Sequence, residues 1–558
     1  MNYPLYEKMT IREEKIPKAL LILMLVSLVI RCFLAAFHEF GNDEVYYWTY
    51  ALYPDWSHFD HPGMVGWMMQ LFSLNLLFDS EFALRLSSLV FMTVNTWLMY
   101  LIGTELKNKI TGFYAALLFT ASLYAFVITG VFIMPDTPLM LFLLLSIYLF
   151  IRYFRNNSNV SVEMHGRASL QRNATLFFAG LCAGLAMLSK YSAAFIWVGV
   201  GLYILIFNRK ELKNKYLYLS ILISALCLLP ILIWNLHNDF ISFTFHGDRV
   251  SLFGKLRLDY FGTEIAGELL YNNPIVYILI IIALLAFFRK KFTTDEAGIR
   301  LLLLIALPWI GTFLYFSLTR STLPHWSAPG VCLLIPVAAA YLAEKQENMT
   351  GIYRIPKVIT AALLLLLMAV SIGSFEIKTG RIQACFTSDK PVEMTAVGKG
   401  DVTLDMYGWD QMREGFAAVH DSLVATGEMQ ADDGIIALKW FPAANMDYYI
   451  ASPLGIKLYA LGDLKQIHKY FWINQFRGGL QEGRNYWFIN QSYNYYEPDG
   501  WYLRPYFEQV IPVDTFAIYR GGRVAEHVFV YKLENYKCAN DLIWNSKFKV
   551  QFTNLLIY

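Results

Sequence analysis

Asp43 and Glu44 stand side by side just past the first long apolar run of a 558-residue chain, and Asp60-His61 follow in the same loop. Acids at a bilayer boundary are costly, so they are rare there without a task. Asp136 repeats the anomaly. Held between Pro135 and Pro138 in a tight turn between two apolar runs, it is either a turn-forming residue or a reactive one. Cations lie at the ends of other apolar runs: Lys190, Arg249, Arg257, Arg320, His61 and His325. Taken singly, each acid is a helix-capping or turn residue and each cation a snorkelling side chain. Together they suit one kind of chemistry, in which a carboxylate takes the proton of an attacking hydroxyl while cations stabilise a departing phosphate.

These residues must be positioned by membrane helices. With 56% hydrophobic and 16% charged residues, the composition is that of a polytopic membrane protein. The net charge of +2 gives no reason to expect a nucleic-acid partner. About eleven runs approach the length needed to cross the hydrocarbon core: Pro17–Phe37, Leu84–Leu106, Ile110–Gly130, Pro138–Phe154, Ala174–Ser189, Tyr191–Phe207, Leu217–Leu236, Pro274–Phe288, Leu301–Leu318, Ser327–Leu342 and Pro356–Phe375. Glu13 and Glu14, and the lack of a small-x-small cleavage site, make the first run an uncleaved anchor.

Every second connection is basic, with Lys107 and Lys109, Arg152 and Arg155, Arg209 and Lys210, Arg289 and Lys290, and Lys345 and Arg354. Those connections and the N-terminus are expected in the cytoplasm. The first loop, about 38–83, then lies outside, as do the turn around Asp136 and the Arg320–His325 turn. An odd number of spans puts the C-terminal part outside too. Residues 1–375 form the membrane domain on this reading, and 376–558 a small extracytoplasmic α/β domain. In the latter, Trp409–Gly427 reads as an amphipathic helix, and Gly434–Trp440, Asn485–Ile489, Thr515–Tyr519 and His527–Tyr531 as strands. The six cysteines show no metal-ligand or redox spacing. If their domain lies outside the cytoplasm, Cys385 and Cys538 are placed to pair or to remain free.

A lipid-linked sugar donor fits carboxylates and cations on the outer face. Its tail stays in the bilayer, and its phosphate is already an activated leaving group, so no nucleotide or other cofactor is needed. Asp43-Glu44, Phe59-Asp60-His61-Pro62, Pro135-Asp136-Thr137-Pro138-Leu139, Leu188-Ser189-Lys190-Tyr191 and Leu323-Pro324-His325-Trp326 together resemble the GT-C glycosyltransferases. The similarity is to the bacterial branch related to protein O-mannosyltransferases and to the lipid A aminoarabinose transferase, and it covers roughly residues 20–345. The resemblance implies an α-helical GT-C membrane domain and an inverting transfer from a polyprenyl-phosphate sugar to a lipid, glycan or protein acceptor. It implies Asp43 as catalytic base, Glu44 supporting it, and Asp136 as the second-loop acid. Asp60-His61-Pro62 stands where the aminoarabinose transferases have Glu-Lys-Pro, with His61 replacing a Lys that touches the donor phosphate. Arg249 is the best fourth-loop candidate for a phosphate clamp, with Lys190, Arg320 and His325 alongside. This branch resembles the metal-independent members, so no metal is expected. The Asp405–Trp409 segment and the domain after it look like the outer tail of bacterial members, placed for acceptor recognition or as a lid.

The expected location is the bacterial cytoplasmic membrane. A secondary transporter or flippase of lipid-linked sugars is the rival reading, but it calls for midplane charges and repeated halves, and no repeat is visible. A scaffold reading leaves Asp43 and Asp136 without a role.

Overall fold

The computed structural model describes residues 13–158, 167–249, 254–290, 295–350, 354–385, 392–498, 500 and 502–537. The chain divides into two compact units. One comprises Met1–Ala36, His61–Asn235 and Ser242–Ala369; the other Phe37–Asp60, Leu236–Ile241 and Val370–Tyr558.

The first unit is a bundle of apolar helices. Helices stand at all eleven places expected from the sequence, but they are not equal. Among the described residues eight are long and apolar enough to cross a membrane: Glu13–Phe37, Leu86–Leu106, Asp136–Arg155, Leu170–Ser189, Lys215–His237, Glu296–Ser317, Ala328–Glu347 and Lys357–Thr379. Lys109–Ala121 and Tyr191–Phe207 are shorter. The former is buried on all sides from Ile110 to Ala121, so its apolar sequence reflects packing against other helices. Pro274–Phe288 follows Leu258–Tyr271 after a 101° bend, giving nine spans if the bent pair counts as one. The bend has a local cause. Asn273 takes φ +64°, Pro274 cannot continue the preceding helix, and the Asn273 amide donates to the carbonyls of Ala121 and Ala362, both at 2.9 Å.

Helix pairs approach closely where glycine removes a side chain. A Cβ on Gly112 would lie 2.3 Å from the Tyr100 carbonyl oxygen, and one on Gly199 would lie 2.6 Å from the backbone of Ile305. Small residues at such crossings let dispersion contacts hold helices together in a lipid solvent, where hydrophobic burial gives little. The outward faces stay apolar, as with Leu21, Leu25 and Val29 on the first helix.

The second unit carries a five-stranded sheet in the order β2-β1-β3-β5-β4, with β1 Ile435–Ala437, β2 Leu458–Ala460, β3 Tyr486–Gln491, β4 Phe507–Arg520 and β5 Arg523–Tyr536. β1 runs parallel to β2 and β3, and β5 is antiparallel to both β3 and β4. Two consecutive glycines with positive φ, Gly521 and Gly522, close the β4–β5 hairpin. Helix Trp409–Thr426 ends at Gly427, whose φ of +78° provides the left-handed cap. It lies on the sheet so closely that a Cβ on Gly415 would meet the Phe516 ring at 2.5 Å. The hairpin strands extend well beyond the sequence expectation, and β2 was not expected, because three residues of Leu-Tyr-Ala carry no readable alternation.

Helix Asn42–Leu52, from the first loop, belongs to this second unit. The backbone N–H of Phe40 donates to the Tyr449 hydroxyl at 2.7 Å, and the Asn42 amide to Asp405 at 2.6 Å. At the other end, the Lys469 side-chain amine donates to the carbonyls of Thr49 at 2.8 Å and Tyr53 at 2.6 Å. Burial pushes this amine well below the usual lysine range, and its N–H groups close the carbonyl end of the helix as hydrogen-bond donors.

Candidate functional site

In the second unit the first-loop acids open a helix. Its N-cap is Gly41, one residue earlier than Asn42. Glu44 is buried and accepts the Gly41 backbone N–H at 3.1 Å, so it holds the helix start in a capping role. Asp43, one residue before it, is exposed, and the adjoining helix N-terminus favours its negative charge. Asp60 is buried with one oxygen accepting from two hydroxyls, Tyr46 at 2.8 Å and Tyr50 at 2.6 Å. That carboxylate fixes the loop against its own helix.

Asp405 joins this group from the C-terminal part of the chain. It accepts from the Asn42 amide and from the Tyr493 hydroxyl. Burial first, and then the negative charge of Asp43, push its carboxyl up to about 7, against the pull of the Asn42 amide. An exposed carboxylate therefore stands near a second acid that keeps its proton close to neutral pH, an arrangement suited to taking up and passing on a proton.

In the first unit Asp136 begins helix Asp136–Ser158, and Lys190 follows the last residue of helix Arg167–Ser189. An acid at a helix N-terminus and a cation at a helix C-terminus each complement the local dipole. The two meet: Lys190 Nζ lies 2.9 and 2.7 Å from the two Asp136 oxygens, and the Tyr124 hydroxyl donates to Asp136 Oδ1 at 2.7 Å. Asp136 is 1% exposed and Lys190 7%. Lys190, expected as a phosphate cation, is thus already neutralised by the second-loop acid.

His325 feels both charges. Burial and the positive charge of Lys190 hold it down at about 4, with Asp136 pulling the other way. At neutral pH it is uncharged, so it meets an anion as a hydrogen-bonding imidazole and not as the expected cation. The Trp309 indole N–H donates to the Trp326 carbonyl at 3.0 Å and fixes the turn that carries His325. Two buried glutamates bracket the same turn. Glu264 accepts from Thr322 and Glu268 from the Tyr277 hydroxyl, both at 2.7 Å, and the Tyr271 and His325 rings lie 6.4 Å apart.

His61 is half-buried with its ring 6.4 Å from His246, which lies 5.1 Å from the Tyr191 ring. The fourth loop thus brings an imidazole to the residue next to Lys190. Arg320 is half-buried. The side chain of Arg249 lies outside the described residues, as does Cys538. Among the described residues no three His, Cys, Asp or Glu side chains are grouped to hold a metal ion.

The sequence singled out Asp136 and Lys190 but not their bond, and it gave no role to Tyr124, Tyr46, Tyr50, His246 or Lys469. The one available signal for Asp405 was its place in the Asp405–Trp409 segment.

The bundle with a small C-terminal sheet defines a membrane protein with the fold of the GT-C glycosyltransferases. Over 92% of this chain and 98% of the other, it superposes on ArnT from Cupriavidus metallidurans in the apo state, with a TM-score of 0.56 at 12% identity. The same protein bound to undecaprenyl phosphate gives 0.54 at 11%, over 92% of this chain and 97% of that one. Residues 60–234 match the model of the dolichyl-phosphate-mannose-protein mannosyltransferase family. A lipid A galacturonosyltransferase, RgtD of Rhizobium johnstonii, is 24% identical over 202 residues, 36% of this chain. The chain matches 39% of that relative's length.

Proposed function

We propose that this protein is an inverting glycosyltransferase that moves a sugar from a polyprenyl-phosphate carrier to a lipid, glycan or protein acceptor on the outer face of a bacterial cytoplasmic membrane. The observation that carries the reading is the exposed Asp43 at a helix N-terminus beside the protonatable Asp405, within a GT-C fold. Two relatives support it: ArnT, which shares the fold, binds undecaprenyl phosphate, and RgtD is a galacturonosyltransferase of lipid A.

In the proposed step an acceptor hydroxyl attacks the anomeric carbon and Asp43 takes its proton. The bond from that carbon to the phosphate oxygen breaks, and the polyprenyl phosphate leaves with the electron pair. Glu44 and Asp60 position the Asp43 helix. His61, Arg249 and Arg320 are assigned to the departing phosphate by charge and place in sequence, and Lys190, already paired with Asp136, by place in sequence alone. Asp136 orients Lys190, and His325 offers a neutral hydrogen bond. The basic connections support a cytoplasmic N-terminus and an extracytoplasmic C-terminal unit.

The test is mass spectrometry of polyprenyl-linked sugars and envelope glycans from cells lacking the protein. One lipid-linked sugar is expected to accumulate while one glycan loses that sugar. Unchanged profiles of both would remove the reading.

A further inference from the structure

Within the second unit, Lys439, Trp440, Phe441, Tyr493 and Asn494 line a cavity of about 280 Å³. That volume sits at the small end of the roughly 300–1,000 Å³ usual for small-molecule sites. Trp440, Phe441 and Tyr493 are each half-buried, so part of every ring is left open. Their arrangement is fixed from behind. Trp440 stacks on His468 with ring centroids 5.5 Å apart and an interplanar angle of 14°, and lies 5.0 Å from Tyr46. Phe441 packs on Tyr493 at 6.2 Å and 70°.

Rigid aromatic rings beside an amide and an ammonium match the chemistry of a pyranose. One face of such a ring is C–H and packs on aromatic carbon, while its edge presents hydroxyls for hydrogen bonding. A polyprenyl tail would find polar groups it cannot satisfy. The cavity is also wired to the candidate base. The hydroxyl of Tyr493 donates to Asp405, which is bonded to Asn42, the neighbour of Asp43. Trp440 contacts Tyr46, which holds Asp60.

We infer that this cavity is a saccharide-binding site that seats one sugar ring of a transfer substrate, with Trp440 and Phe441 as packing surfaces and Lys439 and Asn494 as polar contacts. The inference rests on the proposed transferase function and adds a subsite to it.

Saturation-transfer NMR on the full-length protein in detergent, with the methyl glycosides of a hexose and of its uronic acid as probes, tests it. Saturable transfer to the ring protons is expected, reduced at least fivefold in Trp440→Ala and unaltered in Trp56→Ala, an exposed indole that does not line the cavity. Asn494→Asp, which keeps the aromatic rings in place, is expected to weaken binding as well. Displacement of the probe by a short-chain polyprenyl-phosphate sugar would make it the donor's ring, and displacement by a soluble acceptor glycan the acceptor's. Absence of saturable binding, or binding equal in Trp440→Ala and wild type, overturns the inference. Sugar transfer in the same preparation separates the two readings. Turnover without saccharide contact at this cavity removes the subsite and leaves the transferase, and saccharide binding without turnover does the reverse.

Discussion

Lys190 points its ammonium at both oxygens of Asp136, 2.9 and 2.7 Å away, in a position where neither side chain meets much water. Each charge makes the burial of the other tolerable, so the pair is cheap to keep and costly to break.

Removing one partner should therefore cost more than removing both. Lys190→Met or Asp136→Asn is expected to lower stability by about 3–5 kcal/mol, with much of that regained in the Asp136→Leu/Lys190→Met double variant. Thermal denaturation of the detergent-solubilised variants measures it, and single variants as stable as wild type would contradict the pairing. All three variants are expected to lose sugar transfer.

Glu526 should make a contribution to the stability of the second unit that is lost as pH rises. Glu526 is fully buried, and burial pushes its carboxyl up to about 8. Its folded value lies above the unfolded value of about 4.3, so as pH rises from about 4 the unfolded chain releases a proton that the folded chain keeps. Stability is lost across the window from about 4 to 8. Glu526→Gln is expected to raise the melting temperature at pH 8 and leave it unchanged at pH 4. An equal shift at both pH values would contradict the assignment.

Lys469 closes the helix that carries Asp43, so its loss should be felt there. Lys469→Met removes the side-chain donor to the Tyr53 carbonyl and one of two donors to the Thr49 carbonyl, which keeps the Tyr53 backbone N–H at 3.0 Å. A cost of about 1–3 kcal/mol is expected. Limited proteolysis should then cut between Leu52 and Asp60 faster than in wild type, and turnover should fall. Unchanged cleavage in that interval would show that the cap is dispensable.

The apolar runs made the bundle legible, because a bilayer demands long uninterrupted stretches. Their number was less so. A helix such as Lys109–Ala121, buried among other helices, is as apolar as one facing lipid, and hydropathy cannot tell them apart. The anomalous acids were visible as anomalies, but their partners were not. Asp136 and Lys190 are 54 positions apart, and Asn42 and Asp405 are 363 apart. No local pattern encodes such pairings. Glu44 illustrates the reverse case: the bland capping role that its spacing from Gly41 allows is the one the structure shows. Placement of helix Asn42–Leu52 in the same unit as the C-terminal sheet was likewise out of reach, since it depends on Lys469, Tyr449 and Asp405.

Acceptance of the attacking hydroxyl's proton by Asp43 is measured by single-turnover transfer from the lipid-linked sugar that accumulates in cells lacking the protein, using purified wild type and Asp43→Asn in proteoliposomes. A rate lower by roughly 10²–10⁴-fold is expected in Asp43→Asn, with donor binding and melting temperature unchanged. Wild-type turnover in Asp43→Asn would contradict it.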